Sequence, residues 1–191
     1  FQIEHIVSKY RTILEEYGMY LLHNDLLYKE DCGLLADPNT GTHLIKYHDL
    51  CQMNETQIAD RLRSARYVIL GGLGFSGYNM EFNADNGIYR MTVDRDTEIK
   101  ESKIFEDLYN RLRPILANKN TIILTHTPKK DWCREADPNK NYVYVSGHTH
   151  RNFFHDDGEY RVYSDNQVGY HSENPHLKTF LLDNDYDCFS D

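Results

Sequence analysis

Thr121-Ile122-Ile123-Leu124-Thr125-His126-Thr127-Pro128 and Tyr142-Val143-Tyr144-Val145-Ser146-Gly147-His148-Thr149-His150 share one pattern, a short apolar run that closes on histidine. Both runs are of strand length and rich in β-branched or aromatic side chains. In open sheets with parallel strands, binding groups gather at the carboxyl ends of the strands. His126 and His148 follow such ends directly. Thr127-Pro128 then turns the first chain away, and Gly147 lets the second bend sharply before its pair of histidines. Residues i and i+2 of an extended backbone point the same way, so His148 and His150 can reach one cluster, and even two adjacent metals. Imidazole suits Zn, Fe, Ni, Cu and, with oxygen ligands, Mn. Spacing alone leaves a second reading open, three hydrogen-bonded loop histidines, because His-x-His is short and common. His5, His23, His43, His48, His155, His171 and His176 lack this placement and read as ordinary surface residues.

Outward from these strands the chain reads as helix–strand alternation in a single domain over residues 1–191. Ile3, Val7, Tyr10, Leu14 and Tyr17 mark one face of a helix that Gly18 stops. Met19-Tyr20-Leu21-Leu22 reads as a strand, Asn24-Asp25 as a turn and Leu26-Leu27-Tyr28 as the next strand. Residues 29–43 read as loop, 42–47 as a strand and 55–63 as a short polar helix. Tyr67-Val68-Ile69-Leu70, ending at Gly71-Gly72, has the character of a strand buried on both faces. The Gly- and Asn-rich stretch 71–86 reads as a long loop. Ile104, Leu108, Leu112 and Ile115 define an amphipathic helix, with acidic residues ahead of it and Pro114 in its last turns. Residues 160–163 and 177–182 read as closing strands, and Asp183 to Asp187 as a solvated acidic tail that lacks the glycine and later Glu of a calcium loop.

Composition narrows the classes. The 191 residues suffice for one domain with a real core, and a 40% apolar, 27% charged make-up is that of a soluble globular protein. Fifteen tyrosines favour strand-rich structure. A net charge of −9 with scattered Lys and Arg argues against nucleic-acid binding, although bound metal cations can reverse the local sign for a small phosphoester. Cys32, Cys51, Cys133 and Cys188 form no C-x-x-C pair and read as free thiols of a reducing, cytoplasmic compartment. No apolar run approaches the roughly 18 residues of a membrane span, and the first residues lack the features of a signal peptide.

The pair of strand-end motifs resembles the two C-terminal signatures of the calcineurin-like metallophosphoesterases, a strand ending in His-x-Pro and a strand ending in Gly-His-x-His. The opening helix, the Leu21-Leu22 strand, the segment from Gly71 to Asn79 and the loop from Asp165 to Tyr170 are similar to the later part of that family's domain. The resemblance implies an α/β fold: the C-terminal part of a four-layer α/β/β/α sandwich, with a mixed sheet and flanking helices. It implies that His126 and His148 bind one divalent metal and His150 a second, with Mn²⁺ first and Fe or Zn as alternatives. The implied activity is hydrolysis of phosphomonoesters or phosphodiesters by a two-metal-activated water. Phe75, Tyr78, Asn79 and Trp132, on loops near the strand ends, are candidates for lining the substrate pocket, with loop packing as the plainer role.

The departures are equally clear. Gly-Asp, Gly-Asn-His and Asp-x-His, which supply the family's other ligands and its proton donor, occur nowhere in this sequence. The expectation is therefore an incomplete fragment, inactive alone, whose exposed sheet face meets a missing N-terminal half or a second copy. A non-catalytic interaction scaffold on the same fold is the competing expectation.

Overall fold

The computed structural model describes residues 3–30, 40–74, 95–133, 139–148, 153–158 and 161–164. In chain order the elements are α1 (Ile3–Glu15), β1 (Asp25–Glu30), β2 (Thr42–Ile45), α2 (Tyr47–Gln52), α3 (Glu55–Arg61), β3 (Ala65–Gly72), α4 (Arg95–Leu116), β4 (Asn120–Thr125), α5 (Lys129–Trp132), β5 (Tyr142–Ser146), β6 (Phe153–Asp156) and β7 (Arg161–Ser164). The strands join in one mixed sheet of seven, ordered β2-β1-β3-β4-β5-β7-β6. Four neighbours, β3, β4, β5 and β7, run parallel; β1 and β2 on one edge and β6 on the other pair antiparallel. The α/β class expected from the sequence is the one observed.

Register explains which residues form the core. Ile45, Leu26, Leu70, Ile123, Tyr144 and Val162 stand side by side across six strands. Directly paired residues share a sheet face, and Leu108, Tyr109 and Leu112 of α4 join this row in the main core, with Leu50 of α2 and Ile58 of α3. The opposite face is covered less. Leu27, Ile69, Ile122 and Val145 are only partly buried there, and Leu124 is 41% exposed. Helix α1 packs a small separate cluster, Ile3 and Val7 against Leu21 and Leu73.

Several local expectations change. Residues 19–22 form no strand, and Asn24-Asp25 makes no hairpin turn; Asn24 has a positive φ of 61° and Asp25 opens β1. The reason is competition for pairing partners. The edge of β3 that a strand at 19–22 would need is taken by β1 up to the Asp25–Gly71 pair. Leu21 and Leu22 are apolar because they pack, Leu21 on α1 and Leu22 over Gly71, where a Cβ would lie 2.5 Å from that of Leu22. Helix α2 and strand β6 were not expected. The expected strand at 177–182, the acidic tail and the loop from Asp165 to Tyr170 lie outside the described residues.

Candidate metal centre

The carboxyl ends of β3, β4 and β5 lie level, with Gly72 beside Thr125 and Thr125 beside Ser146. Beyond them the ladder continues one step further. His126 N–H donates to the Leu73 carbonyl at 3.0 Å, and the His126 carbonyl accepts from Gly147 N–H at 3.1 Å. The backbone of His126 is thus held from both neighbouring strands. His148 follows Gly147 with a φ of 62°, in the left-handed region. That turn brings its ring back toward β4.

The two imidazoles meet there. His148 Nδ1 lies 3.2 Å from His126 Nε2, with ring centroids 5.1 Å apart and planes at 74°. Two arrangements share this geometry. One nitrogen can donate its proton to the other, the roles depending on tautomer. Alternatively both lone pairs can face one cation. Metal–nitrogen bonds of about 2.1 Å, at angles between square and tetrahedral, place the two nitrogens about 3.0 to 3.4 Å apart. The observed separation falls inside that interval, so the pair fits a divalent ion as two of its ligands. Beside it, the hydroxyls of Thr127 and Ser146 are buried with no hydrogen-bond partner among the described residues. Buried polar groups without partners are rare, and here they mark the same strand ends as the histidines.

The bend falls elsewhere than expected. It is His148, not Gly147, that adopts the positive φ, and a Cβ on Gly147 would meet nothing closer than 3.8 Å. Because His148 is not extended, the alternation argument that aligned it with His150 does not apply; His150 itself lies outside the described residues. So do Phe75, Tyr78 and Asn79.

Trp132 is a correction. It is fully buried in α5, edge-on to Phe105 at 4.7 Å and to Tyr109 at 5.4 Å, and belongs to the core, not to a surface pocket. Among the described residues, no group of three or more His, Cys, Asp or Glu is gathered for a metal.

Compared with family models, curated proteins and solved structures, the chain matches none.

Of the histidines set aside, His43 fits that reading: it is exposed, stacked on Tyr28 and 3.5 Å from Glu30. His23 does not. It stands at the same end of the sheet, just before β1, nearly buried, and its Nδ1 has no hydrogen-bond partner among the described residues. Its Nε2 lies 3.8 Å from Glu101. Burial pushes the His23 pKa down, against the upward pull of Asp25, and burial pushes the Glu101 carboxyl up. Both groups are thereby shifted toward their neutral forms. Nothing in the local sequence, His23-Asn24-Asp25, distinguishes this histidine from a surface one. Residues remote in sequence surround it, Glu101 of α4 and Glu4 and Arg11 of α1.

Proposed function

We propose that the chain supplies the histidine side of a metal-dependent phosphoesterase centre of the calcineurin-like kind. The observation that carries this reading is the 3.2 Å approach of His126 and His148 nitrogens at the carboxyl ends of two adjacent parallel strands. A third imidazole, His150, is two residues further along. When bound, divalent ions would supply Lewis-acid activation of water and of the phosphoryl oxygens. Mn²⁺ is the first candidate and Fe or Zn the alternatives. The chain's own contribution is orientation: two imidazoles presented from backbone that the sheet holds on both sides, next to buried hydroxyls. The substrate class is a phosphomonoester or phosphodiester. The acidic and Asn ligands such a centre needs would come from a further segment or from a second chain. A reducing cytoplasmic compartment suits Cys51, an exposed free thiol. No helix among the described residues is long and apolar enough to cross a membrane.

A second reading, a non-catalytic interaction scaffold, draws on the surface. Tyr10, Ile13, Tyr17, Met19 and Tyr20 are exposed along and just after α1, and Leu124 is exposed on the less covered sheet face. Exposed apolar patches commonly mark contact sites.

The two readings part on activity. A longer form that provides the acidic ligands should hydrolyse an aryl phosphomonoester or phosphodiester with Mn²⁺ added, and His148→Ala should nearly abolish the rate. The 191-residue chain alone should be almost inactive. A longer form that folds, binds Mn²⁺ and turns over neither ester would establish the scaffold instead.

A further inference from the structure

We propose that Thr125 and Trp132 act as a positioning clamp for His126, an inference that rests on His126 being a metal ligand. Trp132 Nε1 donates to Thr125 Oγ1 at 3.3 Å, and the Thr125 hydroxyl donates to the Thr127 carbonyl at 2.6 Å. Indole N–H can only donate, so the direction of both bonds is settled. The second bond closes a ring of backbone that contains His126. With Leu73 and Gly147 bonded to its amide and carbonyl, the turn that carries the imidazole is tied on every side. Only the side-chain torsions of His126 remain to be set.

The clamp is sealed from water. Thr127 and Trp132 are fully buried and Thr125 is 6% exposed. Phe105 and Tyr109 hold the indole edge-on. Gly74, at the exit of β3, passes close over the pair: a Cβ there would lie 2.9 Å from Thr125 Cβ and 2.9 Å from Trp132 Cδ1. Exits of β3 and β4 and helix α5 thus converge on one threonine side chain. Packing alone does not ask for that hydroxyl. Valine has nearly the same shape and suits a strand as well, but it would leave the buried Trp132 N–H without its acceptor and the Thr127 carbonyl without this donor. The oxygen's role is to bond past the strand end to the turn beyond it. Groups that orient metal ligands in this way commonly change affinity by about 10- to 100-fold when removed.

The test compares Thr125→Val and Thr125→Ser in the full chain. Trp132 is the single tryptophan, so its indole N–H gives one isolated resonance in a ¹⁵N spectrum. In metal-free protein, Thr125→Val should shift that resonance and increase the motional averaging of the His126 ring signals, while Thr125→Ser retains both. Co²⁺ titration should then show affinity falling about 10-fold in Thr125→Val, with an altered d–d spectrum, and rescue in Thr125→Ser. A His126 ring equally ordered in Thr125→Val overturns the clamp, whether or not metal binds. A Thr125→Val protein that loses thermal stability but keeps Co²⁺ affinity and spectrum also overturns it. Failure of the underlying reading looks different: His126→Ala would then leave Co²⁺ binding unchanged, and the ring-order comparison would still decide the clamp. Trp132→Phe, which keeps an aromatic ring in the core but removes the donor together with part of the indole's volume, serves as the second variant and should reproduce the His126 disorder.

Discussion

At the residue scale, His148 is the informative position. A non-glycine residue in left-handed backbone carries a cost of roughly 1 to 2 kcal/mol, which glycine does not. At ordinary helix or strand positions alanine is the more stable choice; at φ 62° the order should reverse. We expect His148→Gly to be more stable than His148→Ala by about 1 kcal/mol in urea unfolding. Both variants lose the imidazole, so the comparison isolates the backbone. If alanine proves the more stable, the strain assigned to this turn is absent. Strain of this kind tends to sit where a side chain must be aimed, and here the aim is toward His126.

At the element scale, helices α2 and α3 lie close in sequence and differ in how their ends are satisfied. Asn54 accepts from Gln57 N–H at 2.9 Å, and the Gln57 side chain accepts from Asn54 N–H at 2.8 Å, a reciprocal box at the start of α3. That signal is local, and the helix was expected. Asn54→Ala should lower stability by about 1 kcal/mol without disturbing the histidine pair, read by chemical denaturation; an unchanged midpoint would mean that tertiary packing alone holds α3. Helix α2 has no side-chain cap from Lys46. Its first amide, Tyr47 N–H, instead donates to Asp25 Oδ1 at 2.8 Å, and Arg111 donates to the Leu50 carbonyl at 2.9 Å and to that of Met53. Both partners are remote in sequence. No local pattern announces such a helix, and it was missed for that reason.

At the scale of the whole molecule, the junction of α1, the start of β1 and α4 gathers Glu4, Arg11, His23, Asp25 and Glu101. Asp25 is buried, bonded to Arg11 at 2.5 Å and to the amides of His23 and Tyr47. Burial lowers the His23 pKa from 6.5, so the unfolded chain takes up a proton more readily than the folded one. The stability tied to neutral His23 is full above that value and is lost as pH falls through the folded pKa. Glu101, raised from 4.5 by burial, works the other way: its contribution is full below that value and is lost as pH rises through its folded pKa. As pH falls below about 6.5, melting temperature should therefore drop more, or rise less, in the native chain than in His23→Gln, where the opposing Glu101 contribution remains and that of His23 is gone. An identical slope in the variant would show that His23 is not the group responsible.

Sequence alone determined the strands that end in His126 and His148. Ile122 to Leu124 and Tyr142 to Val145 are continuous apolar runs, and such runs have few alternatives once a sheet forms. The amphipathic period of α4 was legible for the same reason: burial of one face repeats every three or four residues. Tertiary structure alone decided the rest. That β4 and β5 are neighbours was implied once His126 and His148 were to share a metal, but the left-handed turn at His148, beside which the two rings meet at 3.2 Å, was not legible. Met19-Tyr20-Leu21-Leu22 looked like a strand, but β1 holds the edge of β3 that it would need. Trp132 looked like a loop residue near a pocket, yet α4 covers it and Thr125 accepts its hydrogen bond. His23 looked ordinary until burial beside Glu101 suppressed its charge. Apolar periodicity is written in neighbouring residues and can be read from them. Pairing, burial and the partners of polar atoms come from distant ones, and only the fold brings those together.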